Sequence, residues 1–218
     1  MEREQGRDLV EVLEEDERYR FGRLFRIVEA RLRHRRADGS MSPPILRVDF
    51  ERGPAVAVVL VREDTDQVVL VRQFRFSAYA EGRRAGRGAG CGWLLEILAG
   101  ILEEGESPEV VARREAFEET GYRIPGDLVA MGSMLPSAGA SSEVVHLFLA
   151  SVTADDRVGE GGGLPGEHED IEVVHMAVDE ALAAVASGEI RDAKSIIALQ
   201  RLALRRLATT EKTERGSP

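Results

Sequence analysis

The chain reads as an α/β domain preceded by a β-rich arm, and three observations predict this. Two Val- and Leu-rich runs, 55–61 and 67–71, are joined by the polar turn Arg62-Glu63-Asp64-Thr65-Asp66, which is the pattern of paired, buried strands. A helix follows with its ends written into the sequence. Ser107 suits the N-cap, Pro108 the first helical position, Glu109 the first turn, and Gly121 the left-handed residue that ends it. Strand-like runs at 128–134, 143–152 and 171–176 then lead to two closing helices.

The first closing helix runs to about Ser187 before Gly188, with Asp179 as its cap. The second is capped by Asp192, and its Ile196, Ile197, Leu199, Leu202 and Leu204 form an apolar stripe. Ahead of the domain, residues 9–51 read as strand segments, with Leu24, Phe25, Ile27 and Val28 as a partly buried run and a turn over 36–44. This arm either dimerises the chain or is a plain preceding hairpin. The expected organisation is an arm over 1–51, an α/β domain over 52–207 and a disordered tail over 208–218.

Composition narrows the function. The 218 residues are 43% hydrophobic and 31% charged, as in ordinary globular proteins. A formal charge of −10 argues against a general nucleic-acid binder, whose affinity rests on Lys and Arg against phosphate. Cys91 is the only cysteine, so no intrachain disulfide is possible and a reducing cytoplasm is expected. The start of the chain lacks the apolar core of a secretory signal. No run approaches the roughly 20 apolar residues that span a bilayer, so a soluble protein is expected.

Chemistry concentrates on the capped helix. At about 100° per residue, Glu115, Glu118 and Glu119 fall within an arc of about 100°, while Val110 and Phe117 project from the other side to seat the helix on a core. Carboxylates crowded on one face either bind a hard divalent ion that bridges to phosphate, or form a solvated acidic face. Arg72 and Arg75, at a strand end, either grip a diphosphate or are solvent-facing charge. The Gly/Arg-rich stretch 81–92 has no interleaved aromatic and reads as a flexible surface loop. His146, inside an apolar strand, reads as a packed residue.

Gly100, Glu106 and Arg114-Glu115-Ala116-Phe117-Glu118-Glu119-Thr120-Gly121-Tyr122 together match the spacing of the Nudix box. The chain resembles the Nudix hydrolases, which cut nucleoside diphosphates linked to another moiety. From about residue 50 to 205 it is most similar to their ADP-ribose pyrophosphatase branch, which includes GDP-mannose hydrolases; GEIRD followed by Ala193, Lys194 and Ser195 is closest to the latter. The resemblance implies an α/β/α sandwich around a mixed sheet, usually in a domain-swapped homodimer.

It also implies roles. Glu115, Glu118, Glu119 and the carbonyl of Ala99 are expected to hold Mg²⁺ or Mn²⁺, with Glu169 from the GEHED loop. Arg114 is expected to orient a box carboxylate, and Glu106 to act as a supporting or capping carboxylate. Glu167, rather than Glu169, is expected to activate water. Arg75 and Arg72 would contact the diphosphate, and Glu96 would lie near sugar and phosphates. The expected reaction is hydrolysis of ADP-ribose to AMP and ribose 5-phosphate. The alternatives are GDP-mannose or another sugar nucleotide, or a sensor without turnover. Two departures from the branch stand out: Leu98 precedes Ala99-Gly100 where Pro or Val is usual, and Ala138 stands where a proline marks ADP-ribose preference.

Overall fold

A computed structural model describes residues 9–22, 25–88, 90–164, 166 and 170–215. The chain divides into two compact units, one of residues 1–53 with 135–144, the other of 54–134 with 145–218.

The first unit is an antiparallel meander of β1 (Val10–Phe21), β2 (Phe25–His34) and β3 (Ile45–Glu51), in that order. Every residue of β1 is exposed, and only Val28 of β2 is fully buried. Cross-strand charge pairs hold the sheet, including Arg18 with Glu29 and Arg26 with Glu51 at 2.7 Å. Phe25 stacks on Phe21 at 5.4 Å and lies 5.0 Å from Phe50. The 135–144 segment joins this unit through Ser141, whose hydroxyl donates to the Phe50 carbonyl.

The second unit contains β4 (Ala55–Arg62), β5 (Gln67–Phe74), α1 (Phe76–Arg84), β6 (Trp93–Glu96), β7 (Leu98–Ile101) and α2 (Pro108–Thr120). It continues with β8 (Val129–Met134), β9 (Val145–Val152), β10 (Ile171–Ala177), α3 (Val178–Ser187) and α4 (Ala193–Arg215). The sheet order is β10-β5-β4-β9-β8, with β6 on β5 and β7 on β4. The β4–β9 pair is parallel and the other pairs are antiparallel, so the sheet is mixed.

Strand alternation explains the layers. Ala57, Val59 and Val61 of β4 pack with Val178 and Ala181 of α3 and Leu199 and Leu202 of α4. Val56, Val58 and Leu60 point the other way, onto Val111, Ala112 and Ala116 of α2. Helices therefore cover both faces of a buried sheet, the α/β/α sandwich expected.

Several local expectations change. Residues 81–84 continue α1 rather than opening a loop: Ala, Glu and Arg favour helix, and Arg83 and Arg84 fall in its last turn, where the dipole favours cations. Val110 and Phe117 do not seat α2, being 59% and 38% exposed. The core side is Val111, Ala112, Ala116 and Thr120, because small residues bring the helix close to the sheet, and Phe117 instead lies beneath the Arg123 guanidinium. Ala177, not Asp179, occupies the N-cap position of α3, and Asp179 sits in its first turn. Asp192 does cap α4, accepting the Ser195 N–H at 2.9 Å. Leu204 is exposed, off the stripe that Ala198, Leu199 and Leu202 bury. Helix α4 runs to Arg215, past the residue-207 boundary expected from sequence; Ala208, Glu211, Lys212, Glu214 and Arg215 favour helix, against three threonines that favour it less.

The close seat of α2 generates a test. Ala116→Leu should cost about 1–3 kcal/mol through overpacking although leucine is a good helix former, whereas Val110→Ala should stay within about 0.5 kcal/mol. Thermal melts of the two variants compare them.

Candidate active site

Two polar clusters are built on the second unit, one on α2 and one where β5, β6 and α4 meet. Ahead of α2, the Glu103 N–H donates to Glu106 Oε2 at 3.0 Å and closes the entering turn. Ser107 stands at the N-cap, but its hydroxyl bonds Glu109 at 2.6 Å rather than a backbone N–H. Arg114 lies among three carboxylates. Its Nη1 is 2.9 Å from Glu115 Oε1 and 3.0 Å from Glu118 Oε2, and its Nη2 is 3.9 Å from Glu106. Burial opposes the charge of this guanidinium, but Glu115 and Glu118 outweigh it and hold Arg114 above its ordinary range.

Glu119 is only 3% exposed and turns toward β7, where its Oε2 lies 3.3 Å from the Ala99 N–H. Ala99 pairs with Ala57 of β4, and Gly100 follows it. A Cβ at Gly100 would fall 2.0 Å from the Glu115 carboxyl, so the missing side chain is what admits that carboxylate to the strand. At the far end of α2, Tyr122 is buried and its hydroxyl meets His175 Nε2 at 2.8 Å. Burial raises the Tyr122 pKa and lowers that of His175, so both are neutral at pH 7.

The second cluster centres on Glu96, whose side chain is 2% exposed. Arg75 Nη2 reaches it at 2.9 Å and Lys194 Nζ at 2.7 Å. Lys194 also lies 3.0 Å from Asp192, the α4 cap. Ser195 donates its hydroxyl to Asp192 at 2.6 Å and accepts the Ile97 N–H at 2.9 Å, which fixes α4 to the β6–β7 junction. Burial works against the Arg75 charge, while the bond to Glu96 and the fields of Glu119 and Asp192 raise its pKa.

The sequence-predicted residues separate here. Glu115, Glu118, Glu119 and Arg114 share the α2 face near Ala99, and Arg75 meets Glu96. Arg72 instead pairs with Glu172 of β10 at 3.1 Å and is not brought to Glu96. Glu167 and Glu169 lie outside the described residues. Sequence reasoning assigned no site role to Lys194, Ser195 or Gln73. Lys194 could have been suspected, because it stands two residues after the helix-capping Asp192, at the mouth of α4. Gln73 lies between the two arginines; it is buried, and among the described residues its Nε2 meets no hydrogen-bond partner.

Glu115, Glu118 and Glu119 offer hard oxygen donors of the kind that take Mg²⁺ or Mn²⁺. Among the described residues, no three acidic, His or Cys side chains converge into a ready-made cage. Between Glu115 and Glu118 the positive charge is supplied by Arg114. The donor chemistry fits a divalent ion, with Arg114 as the neighbour that balances the carboxylates.

An acidic helix laid on a mixed sheet, with cations gathered beside it, defines an α/β/α enzyme suited to phosphate chemistry. The chain belongs to the NUDIX family, whose domain profile matches residues 51–199, and it is a hydrolase of that family. Nudix hydrolases generally need a divalent metal. The chain is 42% identical over 156 residues to the GDP-mannose pyrophosphatase of Cronobacter sakazakii (strain ATCC BAA-894), covering 72% of this chain and 76% of that one. It is 40% identical over 167 residues to the GDP-mannose pyrophosphatase of Klebsiella pneumoniae subsp. pneumoniae, covering 77% and 79%. The crystal structure of an ADP compounds hydrolase superposes with a TM-score of 0.68 at 17% identity, over 94% of this chain and 98% of that one, a likeness of fold. Among the described residues, no helix is long and apolar enough to cross a membrane.

Gly100→Ala separates the site from the fold. The new methyl group meets the end of a flexible side chain rather than backbone, so the thermal midpoint should stay within a few degrees of wild type. Expulsion of the Glu115 carboxylate should lower metal-dependent turnover about 10–100-fold. Melting and steady-state kinetics on one preparation read both effects.

Proposed function

We propose that the protein hydrolyses the diphosphate bond of nucleoside diphosphate sugars, with Mg²⁺ or Mn²⁺ held on α2. The observation that carries this reading is the pairing of a carboxylate helix face with the Arg75–Glu96–Lys194 cluster. Glu115, Glu118, Glu119 and the Ala99 carbonyl would hold the metal, whose chemistry when bound is to neutralise phosphate charge and acidify water. Arg114 fixes Glu115 and Glu118 in orientation. Arg75 and Lys194 share Glu96, so each keeps donor capacity for phosphate oxygens, while Arg72, paired with Glu172, is proposed as a further phosphate contact apart from this cluster. Glu96 holds both cations in place beside sugar and phosphates.

Glu167 is proposed to accept the proton of the attacking water, and Glu169 to add a metal-binding carboxylate. A base must have a lone pair not committed to a cation, which favours a loop carboxylate over those of α2. Water attacks one phosphorus, the anhydride P–O bond breaks, and the leaving phosphate takes up the electron pair.

GDP-mannose, giving GMP and mannose 1-phosphate, is the preferred substrate in this reading. Its support is the identity of 42% and 40% to proteins called GDP-mannose pyrophosphatases, and Ala138 where a proline marks ADP-ribose preference. ADP-ribose, which the branch resemblance put first, is the second reading, giving AMP and ribose 5-phosphate. A sensor without turnover is disfavoured because Glu115, Glu118 and Glu119 are all present. The single cysteine favours a reducing, cytoplasmic setting, and the charge of −10 favours small-molecule partners over nucleic acid.

A panel of diphosphate sugars, assayed for released phosphomonoester in Mg²⁺, tests the reading. GDP-mannose should give the largest kcat/KM, and Glu119→Gln and Glu167→Gln should each lower kcat about 10²-fold or more. Turnover of no sugar nucleotide, or full activity in Glu119→Gln, would sink it.

The arm over 1–51 is proposed to form a homodimer interface. Its support is β1, exposed along its whole length and carrying the apolar Val10, Val12, Tyr19 and Phe21 on its surface. Light scattering should give twice the chain mass for the full protein, and a lower mass once the arm is removed. A monomeric, fully active full-length protein would discard the interface.

A further inference from the structure

Helix α2 ends at Thr120, and its last carbonyls need donors from outside the helix. Gly121 supplies one, and residues 158–163 supply two more. The Gly121 N–H returns to the Phe117 carbonyl at 2.9 Å, the Gly162 N–H reaches the Glu119 carbonyl at 2.9 Å, and the Gly163 N–H reaches the Glu118 carbonyl at 3.1 Å. The Val158 and Gly159 N–H groups both meet the Gly121 carbonyl, at 3.0 and 3.1 Å. Arg157 Nη2 ties the segment to itself by donating to the Glu160 carbonyl at 3.0 Å. The two helix carbonyls held by Gly162 and Gly163 belong to Glu118 and Glu119, two of the three carboxylates on the α2 face.

The fit leaves no room for a side chain at Gly121 or Gly161. A Cβ at Gly121 would lie 2.1 Å from the Gly159 carbonyl oxygen, and a Cβ at Gly161 would lie 2.6 Å from the Glu119 carbonyl oxygen and 2.6 Å from the Thr120 carbonyl carbon. These are backbone atoms that cannot rotate aside. Gly161, Gly162 and Gly163 also have φ of 73°, 101° and 82°, in the region that glycine favours.

We infer that residues 158–163 form a positioning strap: by bonding the backbone of Glu118 and Glu119 they set the direction of both carboxylates and so the metal affinity of the α2 face. The inference rests on the metal reading proposed above. A single hydrogen bond of this kind contributes little to stability, yet the strap acts on the last turn, where an unheld helix frays. A frayed turn spreads the Glu118 and Glu119 oxygens over many directions, which metal coordination does not tolerate. Partners that orient ligands typically change metal affinity by about 10–100-fold when lost.

Mn²⁺ binding to the full chain without substrate, followed by electron paramagnetic resonance, reads this directly. Gly161→Ala carries both the backbone clash and the positive φ. Gly162→Ala is the milder variant, with only the φ of 101° and an ordinary 3.7 Å contact to Ile171 O. Gly188→Ala is the control, since its φ of 80° imposes similar strain with nothing within 4 Å. Gly162→Ala, and Gly161→Ala where it folds, should weaken Mn²⁺ binding about tenfold or more, and excess Mn²⁺ should restore turnover. Gly188→Ala should lower the melting temperature and leave Mn²⁺ binding as in wild type. Wild-type Mn²⁺ affinity in a folded Gly162→Ala or Gly161→Ala protein overturns the strap alone. Absence of saturable Mn²⁺ binding in wild type, unchanged in Glu119→Gln, overturns the metal reading and the strap with it.

Discussion

Helix α2 lies against β4 and β7 at a separation set by Ala112, Ala116 and Gly100, and the geometry of the acidic face follows from that separation. A helix seated on larger residues would stand away from the sheet, and Glu119 would lose the Ala99 N–H that it meets at 3.3 Å. The same closeness buries Glu119 almost completely while leaving Glu115 and Glu118 near the surface. The three carboxylates therefore share a face but not an environment. Glu119 meets the strand, Glu118 meets Arg114, and Glu115 meets both, its carboxyl packed where Gly100 has no side chain.

Burying the Glu96 carboxylate carries a desolvation penalty of several kcal/mol unless cations and hydrogen bonds surround it. Arg75 and Lys194 meet that need from two elements distant in sequence, the end of β5 and the start of α4. Glu96 and Asp192 together balance Arg75 and Lys194, so the cluster is a closed ion-pair network beside an acidic helix. Asp192 and Ser195 extend the network to the backbone of Ile97, so the positions of the cations depend on helix packing rather than on surface rotamers.

The sandwich and the limits of α2 were legible in the sequence because strands such as 55–61 are uniformly apolar and because Ser107, Pro108 and Gly121 mark helix ends with strong local chemistry. The seat of α2 was not. Periodicity favours large apolar residues as core, yet Val110 and Phe117 are exposed, since a close interface selects alanine, which carries little hydrophobic signal. The different partners of Arg72 and Arg75 were illegible for a related reason: closeness along a strand says nothing about which acid each will meet, and Arg72 meets Glu172 while Arg75 meets Glu96. Lys194 was hidden because its partner lies 98 residues away, and no local pattern encodes a contact of that span. Helix formation over 81–84 was masked by the neighbouring glycines, which lower propensity without forbidding a helix packed on its surroundings.

The clamp of α4 on Glu96 and Ile97 also imposes an order on assembly. Both contacts bridge 98 residues, and at roughly 5–20 residues per second the ribosome needs on the order of 5–20 s to make that stretch. For that time Glu96 is accompanied by Arg75 alone, and hydration is its natural state. Strands β4 to β7 can pair early, but the pocket around Glu96 closes only when α4 docks. The charge network around Glu96 therefore cannot be complete before α4 has been made, whatever the order in which the strands pair.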